Sequence, residues 1–304
     1  MTDLAPTPVL GLDAPESAQL SESAAASQKA ARKAFRAGRI GPYIGGGYLV
    51  ILMVAAFLLP KPYDPNAIDA NAVLKPPSMH HWFGTDSVGG DLFSRTVTAA
   101  RMDVPLSLLG TAFALVIGVA GGLLVSTKKP WAERLMRGVD AFQALPLLIV
   151  TLALVTISGD SIWMVAVAMA MISGPLFLRL VRSQALALRE SRFVEAAIAC
   201  GASWPRVMFR YVLPNMLPLI LAQTALIAGV GILLIASLSF LGIGIKPTTP
   251  SWGGMIHDGA SEFIRGHWWM ALFPGIAIFL CVMSFNLIGD GLRDRAIGRT
   301  RKGA

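Results

Sequence analysis

The chain has 304 residues, 54% hydrophobic and 14% charged, against about 25% charged in an ordinary soluble domain, so its composition fits the bilayer better than water. The apolar content excludes a chain disordered throughout, and two cysteines exclude a secreted disulfide scaffold. The net charge of +8 would suggest nucleic acid in a soluble protein; in a membrane protein it first suggests basic cytoplasmic loops.

Residues 1–26 are rich in Ala, Ser and Pro, carry scattered acids and lack periodicity, which predicts disorder. The first apolar run starts near residue 43, too far in for a cleaved signal peptide. Lys29, Arg32, Lys33 and Arg36 fall at i, i+3, i+4 and i+7, one helix face beside Phe35. They form either an interfacial helix touching anionic lipid or a solvated basic stub.

Six charge-free apolar stretches follow: Tyr43–Pro60, Val104–Ser126, Ala141–Ser158, Ser161–Leu178, Leu219–Gly242 and Trp269–Gly289, each of 18–24 residues. About 20 helical residues cross a hydrocarbon core of about 30 Å. The fold expected is therefore all-α: a polytopic membrane protein with six transmembrane helices.

The segment between the first two spans starts Pro- and Asn-rich and reads as an ordered loop. Its second part, DLFSRTVTAARMDV, has helical spacing and is expected to lie along the membrane surface. His80 and His81 are adjacent, so they point apart and make a poor metal site; His257 and His267 are far off in sequence. Gly159-Asp160 alone separates the third and fourth spans, which predicts a tight helical hairpin. Glycine and proline recur inside the spans, among them Gly174, Pro175, Gly229 and Gly231. They serve packing alone, or they belong with Ser237 and Ser239 to a pathway or gate. Trp252, Trp268 and Trp269 fit an interfacial aromatic belt; a closing plug or a docking surface for a soluble partner is the functional alternative. Cys200 falls in a cytoplasmic loop and Cys281 inside a span, so neither suggests a disulfide or a metal site.

With the N-terminus inside, twenty Lys and Arg fall on inside segments and six outside. This positive-inside bias makes both termini cytoplasmic and accounts for the basic balance without nucleic acid. The organisation expected is a cytoplasmic tail at 1–42, a first transmembrane helix at 43–60, an outside segment at 61–103, a transmembrane core at 104–290 and a cytoplasmic tail at 291–304.

The longest and most basic inside loop joins the fourth and fifth spans. Arg192 to Cys200 favours helix, and Gly201 suits a left-handed C-terminal cap. Ser203 or Trp204 then starts a second helix, with Pro205 in its first turn, where the missing N–H costs nothing. Pro214 and Pro218 are expected to end that helix before the fifth span. The small Ala196-Ala197 face lets another protein come close, with Glu195 and flanking arginines at the rim.

Glu195-Ala196-Ala197, three residues, Gly201, nine residues, then Tyr211-Val212-Leu213-Pro214 resembles the EAA loop of ABC-importer permeases, which here covers 191–215. The general pattern has Ile where this chain has Tyr211. His81-Trp82-Phe83-Gly84-Thr85-Asp86 and Gly89-Gly90-Asp91-Leu92-Phe93-Ser94-Arg95 resemble the segment after the first span in dipeptide, oligopeptide and nickel permeases of the C-subunit type, which usually have Arg at the place of Gly90. Trp252-Gly253, Phe273-Pro274-Gly275 and the stretch Phe285 to Asp294 look like the same group, whereas Arg295-Ala296-Ile297 stands where Leu-Asp-Pro is usual. The resemblance spans about residues 40–295.

That resemblance implies a heteromeric importer of the bacterial inner membrane. A homologous second permease would share the pathway, two ATP-binding subunits would use ATP and Mg, and an extracytoplasmic binding protein would deliver substrate. The loop would be a coupling helix seated in a groove of the ATPase, through Glu195, Ala196, Ala197, Gly201, Leu213 and Pro214. The residues themselves agree: there is no G-x-x-x-x-G-K-[ST] phosphate loop, no Ser/His/Asp set and no metal-spaced Cys/His cluster. A non-catalytic subunit without a cofactor of its own is expected, working by alternating access with the loop as a lever. Charge-free spans fit a pathway for varied peptides or peptide-like solutes. A nickel or metal-chelate permease is the alternative, weakened by the lack of His or Cys clusters in the spans. An ion-coupled secondary carrier, the alternative of another class, would need intramembrane carboxylates; a structural membrane anchor would not need Gly- and Pro-rich spans.

Overall fold

The computed structural model describes residues 40–159, 161–245 and 248–302, with side chains through residue 295. The expected disordered tail and the basic stripe Lys29–Arg36 lie outside the described residues, as does Asp160 of the expected hairpin. The described residues contain no β-strand, only an isolated antiparallel bridge between Thr85 and Asp91. The helices are α1 (Ile40–Phe57), α2 (Leu92–Leu124), α3 (Pro130–Gln143), α4 (Leu147–Ile157), α5 (Ile162–Arg189), α6 (Arg192–Ala199), α7 (Trp204–Val207), α8 (Leu213–Phe240), α9 (Trp252–Phe263) and α10 (Trp269–Lys302). Five helical runs are long and apolar enough to cross a bilayer, and the pair α3–α4, bent by 85° at its break, raises the number to as many as six. The chain is an all-α, multi-pass membrane protein.

Two expected elements take a different form. The third span was expected as one helix over Ala141–Ser158, but α3 ends at Gln143 and α4 starts at Leu147. A proline at 146 disfavours the helical region for Leu145, Pro146 itself has φ −59° and ψ 117°, and the chain turns there. With 11 residues, α4 alone reaches only about 16 Å. The stretch DLFSRTVTAARMDV does not lie apart on the membrane surface; it forms the first turns of the 33-residue α2. The Asp91 carboxylate caps this helix by accepting the Ser94 N–H at 2.8 Å. The helix runs through Pro105 without interruption, so Arg95, Arg101 and Asp103 belong to the same helix as the second span. The charge-free stretch expected from Val104 onward is the C-terminal part of this longer helix.

The most extensive helix contact is α2 on α5. Gly110, Ala114, Gly118 and Gly122 recur at i+4 along one face of α2, the small-residue spacing that lets backbones approach. A Cβ at Gly118 would stand 2.5 Å from the Gly174 carbonyl oxygen. Helix α8 crosses this pair, α10 packs along α8, and α1 leans on α10, with Gly45 against the Ser284 carbonyl. Ala56 is fully buried and Leu49, Leu52 and Met53 pack on the same core, while Tyr43, Ile44, Val50, Ile51 and Phe57 are exposed and apolar, as the outer face of a lipid-facing helix should be. At its C-terminal end the Ala56 carbonyl accepts from Lys61 Nζ at 2.7 Å and Arg101 Nε at 2.6 Å, two cations at the negative end of a helix.

At the end of the bundle that carries α9, two of the three tryptophans expected in an interfacial belt are instead core. Trp252 is fully buried, and its indole N–H donates to the Thr96 carbonyl at 2.9 Å. Trp269 is buried and donates to the Thr85 carbonyl at 3.2 Å. Only Trp268 is exposed. The Trp252 backbone N–H, in the first turn of α9, donates to Asp103 Oδ2 at 2.9 Å. This buried carboxylate ties α2 to α9 across the fold. Replacing Asp103 with Ala should leave a buried N–H unpaired and destabilise the protein by about 1–3 kcal/mol. Asp103→Asn keeps an acceptor and should stay near wild type. Thermal unfolding of the purified chain distinguishes the two; equal midpoints for both variants would contradict the tie.

Candidate functional site

At the opposite end, α5 passes into α6 through Glu190 and Ser191, the latter the N-cap of α6. Of the eight residues of α6 only Val194 is buried, at 0% exposure. It enters a core made by Val181 and Ala185 of α5, Val207, Met208 and Val212 of the following turns, and Met216 and Ile220 of α8. Ala197, Ala202, Trp204 and Leu213 pack against the same core. The Arg189 guanidinium lies over the Trp204 ring, 4.2 Å from its centroid, an attraction between cation and ring face. The elbow is thus fastened to both α5 and α8.

Helical geometry fixes what the elbow shows outside. At 3.6 residues per turn, burying Val194 turns Ala196 and Ala199 to the opposite side. Glu195 and Ala196 are exposed, while Ala197 is half-buried. The outward ridge is therefore alanine, low enough for another backbone to approach, with Glu195 beside it. Phe193 borders it at 42% exposure, and Ile198, one turn on from Val194, is 49% exposed as well. Sequence reasoning missed these two, since in a list of apolar residues they look like core. For Phe193 the signal was available, since it sits about 100° round the helix from Val194; for Ile198 it was not, because i+4 shares the Val194 stripe and only the fold leaves it exposed.

Gly201 ends α6 with φ +82°. Its N–H donates to the Ile198 carbonyl at 2.9 Å, and the Ala202 N–H donates to the Ala197 carbonyl at 3.1 Å. These two bonds form a Schellman cap. No heavy atom lies within 4 Å of the place a Cβ would take, so the backbone conformation, not space, requires glycine here. Ser203 then takes the N-cap position of α7, with Pro205 in its first turn.

The second half of the elbow departs from expectation. Pro214 and Pro218 do not end the helix. Residues Met208–Val212 form a π turn that carries α7 into α8 without a break, and the Leu213 N–H donates to the Met208 carbonyl five residues back. A proline ring crowds the carbonyl four residues earlier; the wider π turn relieves that crowding at Arg210. Pro214 is exposed and follows directly on the π turn; Leu213 is half-buried beside it. The Asn215 side chain donates to the Tyr211 carbonyl at 2.6 Å.

The other sequence candidates do not converge on one place. Gly174 and half-buried Pro175 stand on α5, Gly174 at the α2 crossing. Gly231 stands against Met169 and Ser107, and a Cβ at Gly229 would lie 3.4 Å from Phe285 Cβ. The Ser237 hydroxyl bonds back to the Leu233 carbonyl at 2.8 Å and lines an apolar groove of about 390 Å³ with Leu148, Phe240, Leu241 and Ile278. Ser239 is buried, and its hydroxyl has no partner among the described residues. Among the described residues no three His, Cys, Asp or Glu stand close enough to hold one metal ion. His81 is engaged with Asp91 at 3.0 Å and its ring lies 4.7 Å from that of Tyr63.

Residues 110–302 match the family described as the binding-protein-dependent transport system inner membrane component. The dipeptide transport system permease protein DppC of Alkalihalophilus pseudofirmus is 38% identical over 84% of this chain and 83% of its own length. The glutathione transport system permease protein GsiD of Pectobacterium atrosepticum is 37% identical over 83% of this chain and 85% of its own. Among solved structures, a chain of the MetNI methionine ABC transporter in inward-facing conformations has a similar fold, with a TM-score of 0.51 and 16% identity over 70% of this chain and 98% of that one.

Proposed function

We infer a mechanism from one premise: the chain belongs to the family of binding-protein-dependent transport system inner membrane components. It is a membrane-spanning permease subunit of an ABC importer for dipeptides, oligopeptides or peptide-like solutes. Relatives named for dipeptide and glutathione transport support that class. The subunit is non-catalytic. With residues 104–290 as its core, it builds half of a pathway through the bacterial inner membrane, and a homologous second permease builds the other half. ATP and Mg act on two partner subunits, and an extracytoplasmic protein delivers the solute. Both termini and the end bearing α6 face the cytoplasm, which the distribution of Lys and Arg supports.

One observation carries the reading. In a single short helix, Val194 locks the inner side to α5 and α8 while an alanine ridge faces out. A partner groove that holds Ala196 and Ala199 grips a lever rather than a loose loop. When ATP closes the partner subunits, displacement of α6 must move the ends of α5 and α8 with it. Glu195, Ala196, Ala197 and Gly201 form the gripped part, and Leu213 and Pro214 begin the helix that is moved. Differential contact with the ATPase in its two states is what shifts the permease between inward and outward access.

The two cysteines provide the test, since Cys200 at the elbow is exposed and Cys281 is buried. A membrane-impermeant maleimide should label Cys200 in the isolated permease and fail to label it in the assembled importer. Cys281 should react in neither until the protein is denatured. Equal labelling of Cys200 with and without the ATPase subunits would refute the docking.

A further inference from the structure

The geometry points to a binding site for an anionic phospholipid in the cleft beneath the α3–α4 bend, the phosphate against Arg137, Arg179 and Arg182 and one acyl chain in the groove between α4 and α5. Two adjoining cavities carry this assignment. The first, of about 620 Å³, lies between α3 and α5 and is lined by those three arginines together with Glu133, Asp140 and Gln143. The second, of about 220 Å³, is apolar and lined by Leu147, Val150, Ile172 and Leu176. Phe142 and Gln143 stand at the join, Gln143 lining both. A charged chamber opening into an apolar one has the profile of one lipid: head first, tail after.

Charge supports an anion. Arg179 pairs with Asp140 at 2.6 Å and also reaches Gln143. Arg182 pairs with Glu133 and donates to the Val125 carbonyl at 3.1 Å. Both carboxylates are therefore balanced, and the exposed Arg137 leaves the chamber one positive charge in excess. Lys128, Lys129 and Arg134 stand close by in sequence.

Depth agrees with charge. Helix α5 starts at Ile162, so Arg179 and Arg182 lie about 26 and 30 Å along it, where a hydrocarbon core of about 30 Å ends. Since α3 is bent 85° from α4, and α4 runs alongside α5, α3 lies close to the membrane plane at that level. Its Ala132 and Met136 are buried toward Val125 and Leu178, while Trp131 and Leu135 are exposed, as on a helix half-sunk in the headgroup layer. The acyl chain then runs along α4, the helix too short to cover the whole depth by itself.

The test is lipid retention by the whole importer, purified and placed in phosphatidylcholine nanodiscs doped with phosphatidylglycerol. Native mass spectrometry should find phosphatidylglycerol retained in preference to phosphatidylcholine. Arg137→Gln and Arg179→Gln should each weaken retention about five-fold, the effect of one basic residue near an anionic surface. Val150→Trp, which fills the groove, should abolish it. Glycerol phosphate without a chain should not compete. Arg137 is exposed on a helix surface, so its variant will fold and the comparison stands whatever the others do. Equal retention of both lipids, full retention in Arg137→Gln, full competition by glycerol phosphate, or a map with the second permease seated in the groove would overturn the assignment.

Discussion

Gly201→Val is expected to leave the helices assembled in the membrane and to remove most uptake. The φ of +82° at this position places a β-branched residue under strain of about 1–3 kcal/mol. The open surroundings of Gly201 mean that nothing else in the fold opposes its relief. The cheapest release is to unwind the last turn of α6, which breaks the bonds from Gly201 and Ala202 to Ile198 and Ala197 and takes Ala199 off the outward ridge. Val194 remains in the α5–α8 core, so stability should change little. Solute-stimulated ATP hydrolysis and uptake should both fall about ten-fold, the factor that 1.4 kcal/mol sets. Gly201→Asn, which tolerates the left-handed region, should lie between. Normal uptake in the valine variant would remove the elbow from the coupling mechanism.

Gly253→Val should do the reverse and destroy the fold at the other end. A Cβ there would stand 2.7 Å from the Ala236 carbonyl carbon and 2.8 Å from its Cα, so main chain meets main chain and no side chain can yield. Helix α9 must lift off α8. Its first residue, Trp252, then loses both the Asp103 carboxylate and the Thr96 carbonyl. Overpacking alone costs about 1–3 kcal/mol, and each abandoned buried N–H adds about as much. The expected result is a large fall in membrane yield and in the thermal midpoint. Gly138→Ala is the control: nothing lies within 4 Å of that position on the exposed face of α3, and alanine there should be neutral or slightly stabilising. A Gly253→Val protein as stable as the control would mean that α9 does not rest on α8 in the membrane.

The two glycines show what could be read before the fold was known. Gly201 was legible because its requirement is local. A helix-favouring stretch, a glycine and a capped proline start define a turn whatever surrounds it. The apolar stretches were legible for a related reason, since the bilayer acts on each one separately and twenty uncharged residues suffice. The alanine ridge was half legible: the small residues stood out, but which of them faces outward depended on Val194 finding a core to enter.

Gly253 was not legible, since nothing near it in sequence announces the backbone of Ala236. The same holds for Trp252 and Trp269, which have the composition of a membrane belt and the contacts of a core. It holds as well for Asp103, whose partner lies 149 positions away. By itself the sequence determined the solvent, the number of apolar segments and the glycine turn of the elbow, because backbone preference and transfer from water are properties of a residue and its near neighbours. Only the tertiary structure decided that Trp252 and Trp269 are core, that Gly253 meets the backbone of Ala236, and that a carboxylate in α2 holds the start of α9. Those outcomes depend on which surfaces meet, and a buried polar group or a missing side chain acquires its meaning only from the atoms that the fold brings against it.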